Sequence, residues 1–107
     1  MFARILEMTP KPDKRDDIAK VVKAEVLPIL KMQAGFLEIL PLIPELPNDR
    51  YLVISLWAER RYVEKYERET FLKIQDLMRP YLVVPIVARP YTVETSLCEH
   101  FVHALAV

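Results

Sequence analysis

Hydrophobic and polar positions alternate over the first residues and then recur at three- and four-residue spacings. The alternating stretch covers residues 2–8, and a period of two is typical of a strand that buries one face. Pro12 and the acidic residues after it suit the first turn of a helix. The apolar positions beyond them predict one amphipathic helix near 13–32, bent or ended near Pro28. Gly35, the single glycine, is predicted to make the turn into the next strand.

The rest of the chain predicts three more strands and a second helical region. The predicted elements are strands over 36–43, 51–57 and 86–95, a hairpin loop over 44–49 and a helical region over 58–79. A polar stretch at 67–70 allows that helical region to break into two shorter helices. Residues 96–107 form an apolar tail that we expect to dock on the domain or on a partner.

This order of elements predicts that residues 1–95 form one α+β domain, a ferredoxin-like βαββαβ sandwich. Its four antiparallel strands would lie in the spatial order 4-1-3-2, with both helices on one face of the sheet. Proline cannot donate to a strand ladder and therefore belongs on edge strands. The prolines in or beside the second and fourth strands, the two predicted edges, are Pro41, Pro44, Pro47, Pro85 and Pro90.

Both faces of the predicted sheet are apolar, although two helices can cover just one of them. The third strand has Leu52, Ile54 and Leu56 on one side and Tyr51, Val53 and Trp57 on the other. The second strand groups Phe36, Leu40 and Leu42 against Leu37, Ile39 and Ile43. An antiparallel sheet with one wet face should alternate more clearly. A second copy would cover the open face, so we predict a homodimer in which two sheets form a barrel.

Composition excludes several classes of protein. The chain has 107 residues, and its 15 Lys and Arg balance 15 Asp and Glu, whereas a nucleic-acid-binding protein should show a basic excess or stripe. The uncharged stretches are far shorter than the roughly 20 residues that span a bilayer, and residues 1–4 do not resemble a signal peptide. The single cysteine, Cys98, excludes an intrachain disulfide. We therefore expect a cytoplasmic protein that binds neither nucleic acid nor membrane.

Four short motifs together carry a family resemblance. They are Lys11-Pro12 before the first helix, Ala34-Gly35-Phe36 at the second strand, Leu56-Trp57-Ala58-Glu59 at the end of the third strand, and Tyr91-x-Val93-Glu94 in the last strand. With these motifs, residues 2–95 resemble the antibiotic biosynthesis monooxygenase-like domains of the dimeric α+β barrel superfamily. That family includes cofactor-independent oxygenases of aromatic polyketides, haem-degrading enzymes and quinol oxygenases.

Two positions depart from the pattern of this family. Many members carry a histidine nine residues after the strand-end tryptophan, where this chain has Tyr66. The haem-degrading members use an asparagine on the first strand with a tryptophan and a histidine on the second helix. The aligned positions here hold Ile5 and Tyr66, with no histidine nearby. Haem degradation is therefore disfavoured.

The resemblance implies a monooxygenase that oxidises a small aromatic or quinoid compound without a metal, a flavin or another cofactor. Such an enzyme must hold a flat phenol between helices and sheet, help to remove its proton and stabilise the resulting anion. The candidate catalytic residues are Tyr66, through its hydroxyl, and Arg89, through an ion pair with the oxyanion. The candidate substrate-binding residues are Trp57, Tyr62 and Tyr91, and Glu7 or Glu59 is a candidate base if buried.

Each of these side chains also has a packing interpretation. Aromatic residues at these positions can fill a core, and Arg89 can pair with a carboxylate across the dimer. A second hypothesis is therefore a non-catalytic dimeric ligand-binding or stress-associated domain. A third, an isomerase or lactone-handling enzyme, needs a histidine or an acid–base pair that this chain hardly offers. A sizeable cavity with convergent polar groups favours the enzyme, and a solid core favours the binding domain.

Other site chemistry is not expected. His100 and His103 lie three residues apart in the tail, but a zinc site needs three or four protein ligands in a fixed shell. Cys98 has no second cysteine or basic cluster beside it and is interpreted as a small apolar residue. With one glycine in the chain, a glycine-rich loop for a dinucleotide is excluded.

Overall fold

The computed structural model describes residues 1–97; the predictions about the tail residues 98–107, including Cys98, His100 and His103, lie outside the described residues. The strands are β1 (Phe2–Met8), β2 (Phe36–Leu42), β3 (Tyr51–Trp57) and β4 (Val87–Thr92). The α-helices are α1 (Ile18–Val21), α2 (Leu27–Lys31), α3 (Arg60–Glu69) and α4 (Phe71–Met78). Shorter helical turns cover Pro12–Asp17, Val22–Val26, Arg79–Tyr81 and Thr95–Leu97.

The four strands form one antiparallel sheet in the order β2-β3-β1-β4. This order confirms the predicted ferredoxin-like fold. Pro41 lies in β2 and Pro90 in β4, so both in-strand prolines are on the edges of the sheet, where a missing donor does least harm.

The last strand is shorter than the predicted 86–95. Ile86 lies outside β4 because the side-chain amide of Gln75, in α4, takes the place of a neighbouring strand. The Ile86 N–H donates to Gln75 Oε1 (2.9 Å), and Gln75 Nε2 donates to the Ile86 carbonyl (3.1 Å). The residue just before β4 is therefore bonded to α4, and pairing with β1 begins at Val87.

The first helical region has the predicted extent but not one uniform hydrogen-bond pattern. It begins as a 3-10 turn over Pro12–Asp17 and contains a π turn over Val22–Val26. The Leu27 N–H donates to the carbonyl of Val22, five residues back. Pro28, which has no N–H, follows directly in the first turn of α2, where a helix tolerates proline. The π turn therefore accommodates the proline without ending the helical segment.

The second helical region breaks where the polar stretch predicts. Thr70 separates α3 from α4, with φ −132° and ψ −30°, and its N–H donates to the carbonyl of Tyr66 at 2.8 Å. Each helix buries two apolar side chains; they are Val63 and Tyr66 in α3, and Ile74 and Met78 in α4. Within residues 1–97, no helix is long and apolar enough to cross a lipid bilayer.

A β-bulge between Phe36 and Glu38 corrects the predicted grouping of the second strand. The bulge inserts one extra residue and so reverses the side of the sheet on which the next side chains lie. Phe36 pairs with Trp57 and packs on it from the helix-covered face, with ring centroids 5.5 Å apart. Leu40 and Leu42 pair with Ile54 and Leu52 on the opposite face. The prediction that placed Phe36 with Leu40 and Leu42 was therefore wrong.

The face of the sheet that lies away from the helices is apolar and uncovered in the single chain; we call it the open face. Its central residues come from β3, with Leu52 and Ile54 half-buried. Its margins are more exposed, at 45% for Leu42 in β2 and 47% for Tyr91 in β4. Apolar side chains are therefore exposed on both sides of the centre of this face.

Gly35 turns the chain from the first helical region into β2 with a φ of +77°, which confirms its predicted role. A Cβ atom at this position would overlap the ring of Tyr62. We expect Gly35→Ala to destabilise the protein by about 2–4 kcal/mol, because it adds left-handed backbone strain to the steric overlap. Urea denaturation measures this effect. The exposed neighbour provides the control: Ala34→Ser should change stability by less than about 0.5 kcal/mol, and an equally small effect of Gly35→Ala would contradict the argument.

Candidate functional site

The charged side chain of Arg4 is buried on the helix-covered face of the sheet. Arg4 lies in β1 opposite Ser55 of β3 and is 2% exposed. Its Nε donates to Glu67 Oε1 of α3 at 2.8 Å. Its guanidinium carbon lies 4.2 Å from the ring centroid of Phe71 and 5.4 Å from that of Tyr66. The charge is therefore held by one carboxylate and two aromatic faces, a favourable environment for a buried cation.

Trp57 and Tyr66 form the aromatic layer beneath this cation. Trp57 is fully buried at the end of β3, and its ring centroid lies 5.1 Å from that of Tyr66. Its indole Nε1 donates to Ser55 Oγ at 3.0 Å, so the one polar atom of the indole is satisfied. Tyr66 therefore contacts both the buried tryptophan on one side and Arg4 on the other.

The phenol of Tyr66 remains protonated over the physiological range. Burial raises the pKa of Tyr66 from 10.0 to about 12, although the charge and hydrogen bonding of Arg4 act in the opposite direction. At neutral pH this hydroxyl is therefore a hydrogen-bond donor. It is not a base that could take a proton from a substrate.

An open cleft of about 360 Å³ lies beside Arg4, between α3 and the edge of the sheet made by β1 and β4. Its lining residues are Phe2, Arg60, Val63, Glu64, Glu67, Pro90, Tyr91 and Thr92. The Arg60 guanidinium carbon lies 5.3 Å from the ring centroid of Phe2. The Glu67 side chain is 45% exposed. Because Glu67 both lines the cleft and bonds Arg4, it connects the cleft with the buried charge.

Two larger cavities lie at the periphery. One, of about 420 Å³, lies between α4 and residues 82–85 and includes Leu72 and Arg79. The other, of about 450 Å³, lies between the first helical region and β2 and is lined mainly by apolar side chains. The centre between helices and sheet is filled by fully buried side chains such as Ile74 and Met78. The sequence predicted a pocket between the helices and the sheet; the structure instead has fully buried side chains there and a cleft at the β4 edge.

The structure separates the five side chains assigned as candidate site residues. Trp57 and Tyr66 are in contact, and Tyr91 lines the cleft. Tyr62 packs over Gly35 and against Arg61, outside the cleft. Arg89 pairs with Ile5 on the open face, on the opposite side of the sheet from Trp57. The five residues therefore do not surround one ligand within a single chain.

Neither candidate base has the expected burial in a pocket. Glu7 is on the open face, where its carboxylate accepts a hydrogen bond from Arg50 Nη1 (2.6 Å) and lies 3.9 Å from Arg89 Nη2. Glu59 is exposed and is paired with Arg61. In the described part of the chain, the carboxylates that reach the cleft are Glu64 and Glu67.

The sequence argument missed Arg4 and Glu67. A signal for Arg4 exists, because it alternates with Phe2, Leu6 and Met8 and is therefore a charge on the core-facing side of β1. No comparable signal marks Glu67, one of several charged residues on α3. Among residues 1–97, no three His, Cys, Asp or Glu side chains come together as ligands for a metal ion.

Comparison with known proteins gives a family match and a shared fold. A model of the antibiotic biosynthesis monooxygenase family matches residues 1–74, whereas a search of curated proteins found no match. ActVA-Orf6 of Streptomyces coelicolor, a monooxygenase solved with nanaomycin D, shares 15% identity over 87% of both chains, with a TM-score of 0.67. SnoaB of Streptomyces nogalater, a cofactor-independent oxygenase, shares 14% identity over 87% of this chain and 92% of its own, with a TM-score of 0.64. PA3566 of Pseudomonas aeruginosa shares 17% identity over 86% of this chain and 92% of its own, with a TM-score of 0.65.

Proposed function

Because the chain belongs to the antibiotic biosynthesis monooxygenase family, we propose that it oxidises a small aromatic or quinoid compound with molecular oxygen and without a metal or flavin. The substrate binds in the cleft between α3 and the β4 edge. The observation that carries this proposal is the position of Glu67, which lines the cleft and accepts a hydrogen bond from buried Arg4. The Glu67 carboxylate therefore lies at the wall of the cleft, and the buried Arg4 cation lies directly behind it.

These two groups supply what oxygenation of a phenolic substrate needs from a protein. Glu67 takes a proton from the substrate, and the positive charge of Arg4 stabilises the anion that remains. The anion transfers one electron to O₂, the substrate radical and superoxide combine to a peroxide anion, and this anion takes the proton back from Glu67 to become a hydroperoxide. The hydroperoxide then loses water, made from its outer oxygen and the hydrogen left on the same carbon, so that a ring CH₂ group becomes a carbonyl. One oxygen atom enters the product and the other leaves as water, and the substrate supplies all four electrons that reduce O₂.

The other candidate residues take different roles in this proposal. Phe2 is the aromatic wall of the cleft. Tyr91 borders the cleft at the β4 edge, but its pairing with Ala3 places its side chain on the open face. Tyr66 positions Arg4, and Trp57 supports Tyr66. Tyr66 does not exchange a proton, which agrees with the high pKa of its phenol. Arg89 is proposed as a residue of the dimer interface, because it lies on the open face beside Glu7.

The apolar open face supports the proposal that two copies of the chain pair through their sheets. Leu40, Leu42 and Tyr91 are exposed on this face in the single chain. Burying such a surface against its own symmetry-related copy is favourable, and a two-fold interface uses the same patch on both subunits. Glu7 and Arg89 would then lie within or beside the interface. The helix-covered face, with the cleft at its edge, would be on the outside of the barrel.

A second candidate function is ligand binding without turnover. The packing of the centre between helices and sheet favours it, since Trp57, Ile74 and Met78 are fully buried there. In this case the cleft binds an aromatic compound, and Glu67 serves as a fixed partner for Arg4.

Oxygen consumption with 1,8-dihydroxyanthrone tests the proposed activity. We expect the wild-type protein to accelerate its conversion to the quinone above the uncatalysed rate. Glu67→Gln should lower this rate about 100-fold or more, because positioned general bases contribute at least that factor. The control is Glu69→Gln, on the same helix but outside the cleft, which should retain the wild-type rate.

Two outcomes would contradict the proposal in different ways. If the wild-type protein consumes no oxygen with any compound of a panel of anthrones and hydroquinones, ligand binding without turnover is favoured. An unchanged rate in Glu67→Gln would remove the base from the mechanism while leaving an oxygenase.

A further inference from the structure

The buried guanidinium of Arg4 is paired with a side chain that can leave it. Arg4 is 2% exposed, and a buried charge without a partner is strongly unfavourable. Its carboxylate partner, Glu67, is 45% exposed and bonds it through a single oxygen, Oε1. The Glu67 carboxylate itself can be hydrated, so it can leave Arg4 when another anion takes its place on the guanidinium. The cation, by contrast, has no route to solvent of that kind.

Aromatic contacts keep Arg4 in place when Glu67 moves. The guanidinium carbon of Arg4 lies 4.2 Å from the ring centroid of Phe71 and 5.4 Å from that of Tyr66. Both rings belong to helices that pack on the sheet through buried residues. The site is therefore a fixed cation with an exchangeable anion.

We infer that the cleft selects planar aromatic anions, phenolates or aryl carboxylates, whose oxyanion replaces Glu67 on Arg4. This inference rests on the proposed function for the location of the ligand site. The apolar part of the ligand lies against Phe2, Val63 and Pro90 on the walls of the cleft. Its oxyanion takes the position of the Glu67 carboxylate beside Arg4. Glu67 acts in this way as an internal competitor for the ligand.

The same exchange explains how a neutral phenol enters the anionic state. The O–H bond of the phenol breaks, and its proton moves to a carboxylate oxygen of Glu67. Glu67 becomes neutral and bonds Arg4 more weakly, while the new phenolate bonds it more strongly. The total charge of the site does not change, since the negative charge moves from the protein to the ligand.

Isothermal titration calorimetry with 2-naphthoate and its neutral analogue 2-naphthamide tests this exchange. In Glu67→Gln the competing charge is absent, so 2-naphthoate should bind about tenfold more tightly, the difference between a charged and a neutral hydrogen-bond partner. Affinity for 2-naphthamide should change less than about twofold. Glu64→Gln is the matched control, because Glu64 lines the same cleft and is not bonded to Arg4. Glu64→Gln should raise the affinity for 2-naphthoate about twofold, because it removes one nearby negative charge without changing the bond to Arg4.

A second variant tests the cation itself. Arg4→Met replaces the guanidinium with an apolar side chain of similar length and should abolish the preference for 2-naphthoate over 2-naphthamide. The inference would be overturned if Glu64→Gln and Glu67→Gln raised the affinity for 2-naphthoate equally. It would also be overturned if Arg4→Met still bound 2-naphthoate in preference to 2-naphthamide. These results are independent of turnover: selective binding without oxygen consumption removes the proposed activity and keeps the exchange. Oxygen consumption without the expected binding pattern removes the exchange and keeps the activity.

Discussion

Ile54→Lys is expected to produce a folded monomer from a wild-type dimer. Ile54 lies in the centre of the open face, opposite Ile5 of β1 and Leu40 of β2. In the proposed dimer a lysine there would place an unpaired charge in the apolar interface twice, once from each subunit. An unpaired interfacial charge costs about 2–5 kcal/mol, so the dissociation constant should rise at least about 100-fold. Sedimentation at micromolar concentration, together with circular dichroism, measures the association and the fold.

The control is a lysine on a different apolar surface. Leu72 is 71% exposed on α4, away from the open face, and Leu72→Lys should leave the dimer unchanged. A wild-type chain that sediments as a monomer would contradict the proposed pairing directly. A dimer that tolerates lysine at position 54 would show that the subunits associate through another surface.

Trp57→Ala should have the largest effect on stability. The side chain is fully buried and contacts the rings of Phe36 and Tyr66. Removing an aromatic side chain of this size from a core costs about 3–5 kcal/mol through lost burial and the cavity left behind. For a domain with a typical total stability of about 5–15 kcal/mol, this is a large fraction. Urea denaturation followed by circular dichroism measures the loss, since the substitution removes the single tryptophan.

Trp57→Phe separates the packing contribution from the hydrogen bond. It keeps a ring in the core and removes the indole N–H that donates to Ser55 Oγ. The expected cost is about 1–2 kcal/mol, for one lost hydrogen bond and a smaller cavity. If Trp57→Ala cost no more than Trp57→Phe, the packing of this ring on Phe36 and Tyr66 would not be the main contribution of Trp57 to stability.

Periodicity predicted the fold well where one rule acted along a whole element. The bounds of β1 and β3 agree with those predicted from alternation, and the edge positions of β2 and β4 follow from their prolines. The side of Phe36 did not follow, because a bulge interrupts alternation without leaving a glycine or proline as a marker. The π turn before Pro28 could not be predicted from the sequence pattern either. The apolar spacing predicts a helix, but it does not show which N–H each carbonyl bonds.

The candidate site was less predictable because it depends on contacts between distant parts of the chain. Arg4 and Glu67 are separated by 63 residues and meet where α3 crosses the sheet. The spacing of residues within one strand or helix does not predict which residue of another element lies against it. Arg89 illustrates the converse: its strand was predicted, but the pairing with Ile5 decides which face it occupies. The cytoplasmic location and the docking of the tail stay predictions.

The prolines at the two edges of the sheet bear on how copies of this chain can add to one another. An unprotected edge strand invites another strand to pair with it, and repeated pairing of that kind produces fibrils. Pro41 and Pro90 interrupt the donor pattern in β2 and β4. Growth along the hydrogen-bonding direction is thereby discouraged at both margins. In the proposed dimer, by contrast, each open face is used up by one partner, so that arrangement is a closed pair and not an open-ended polymer.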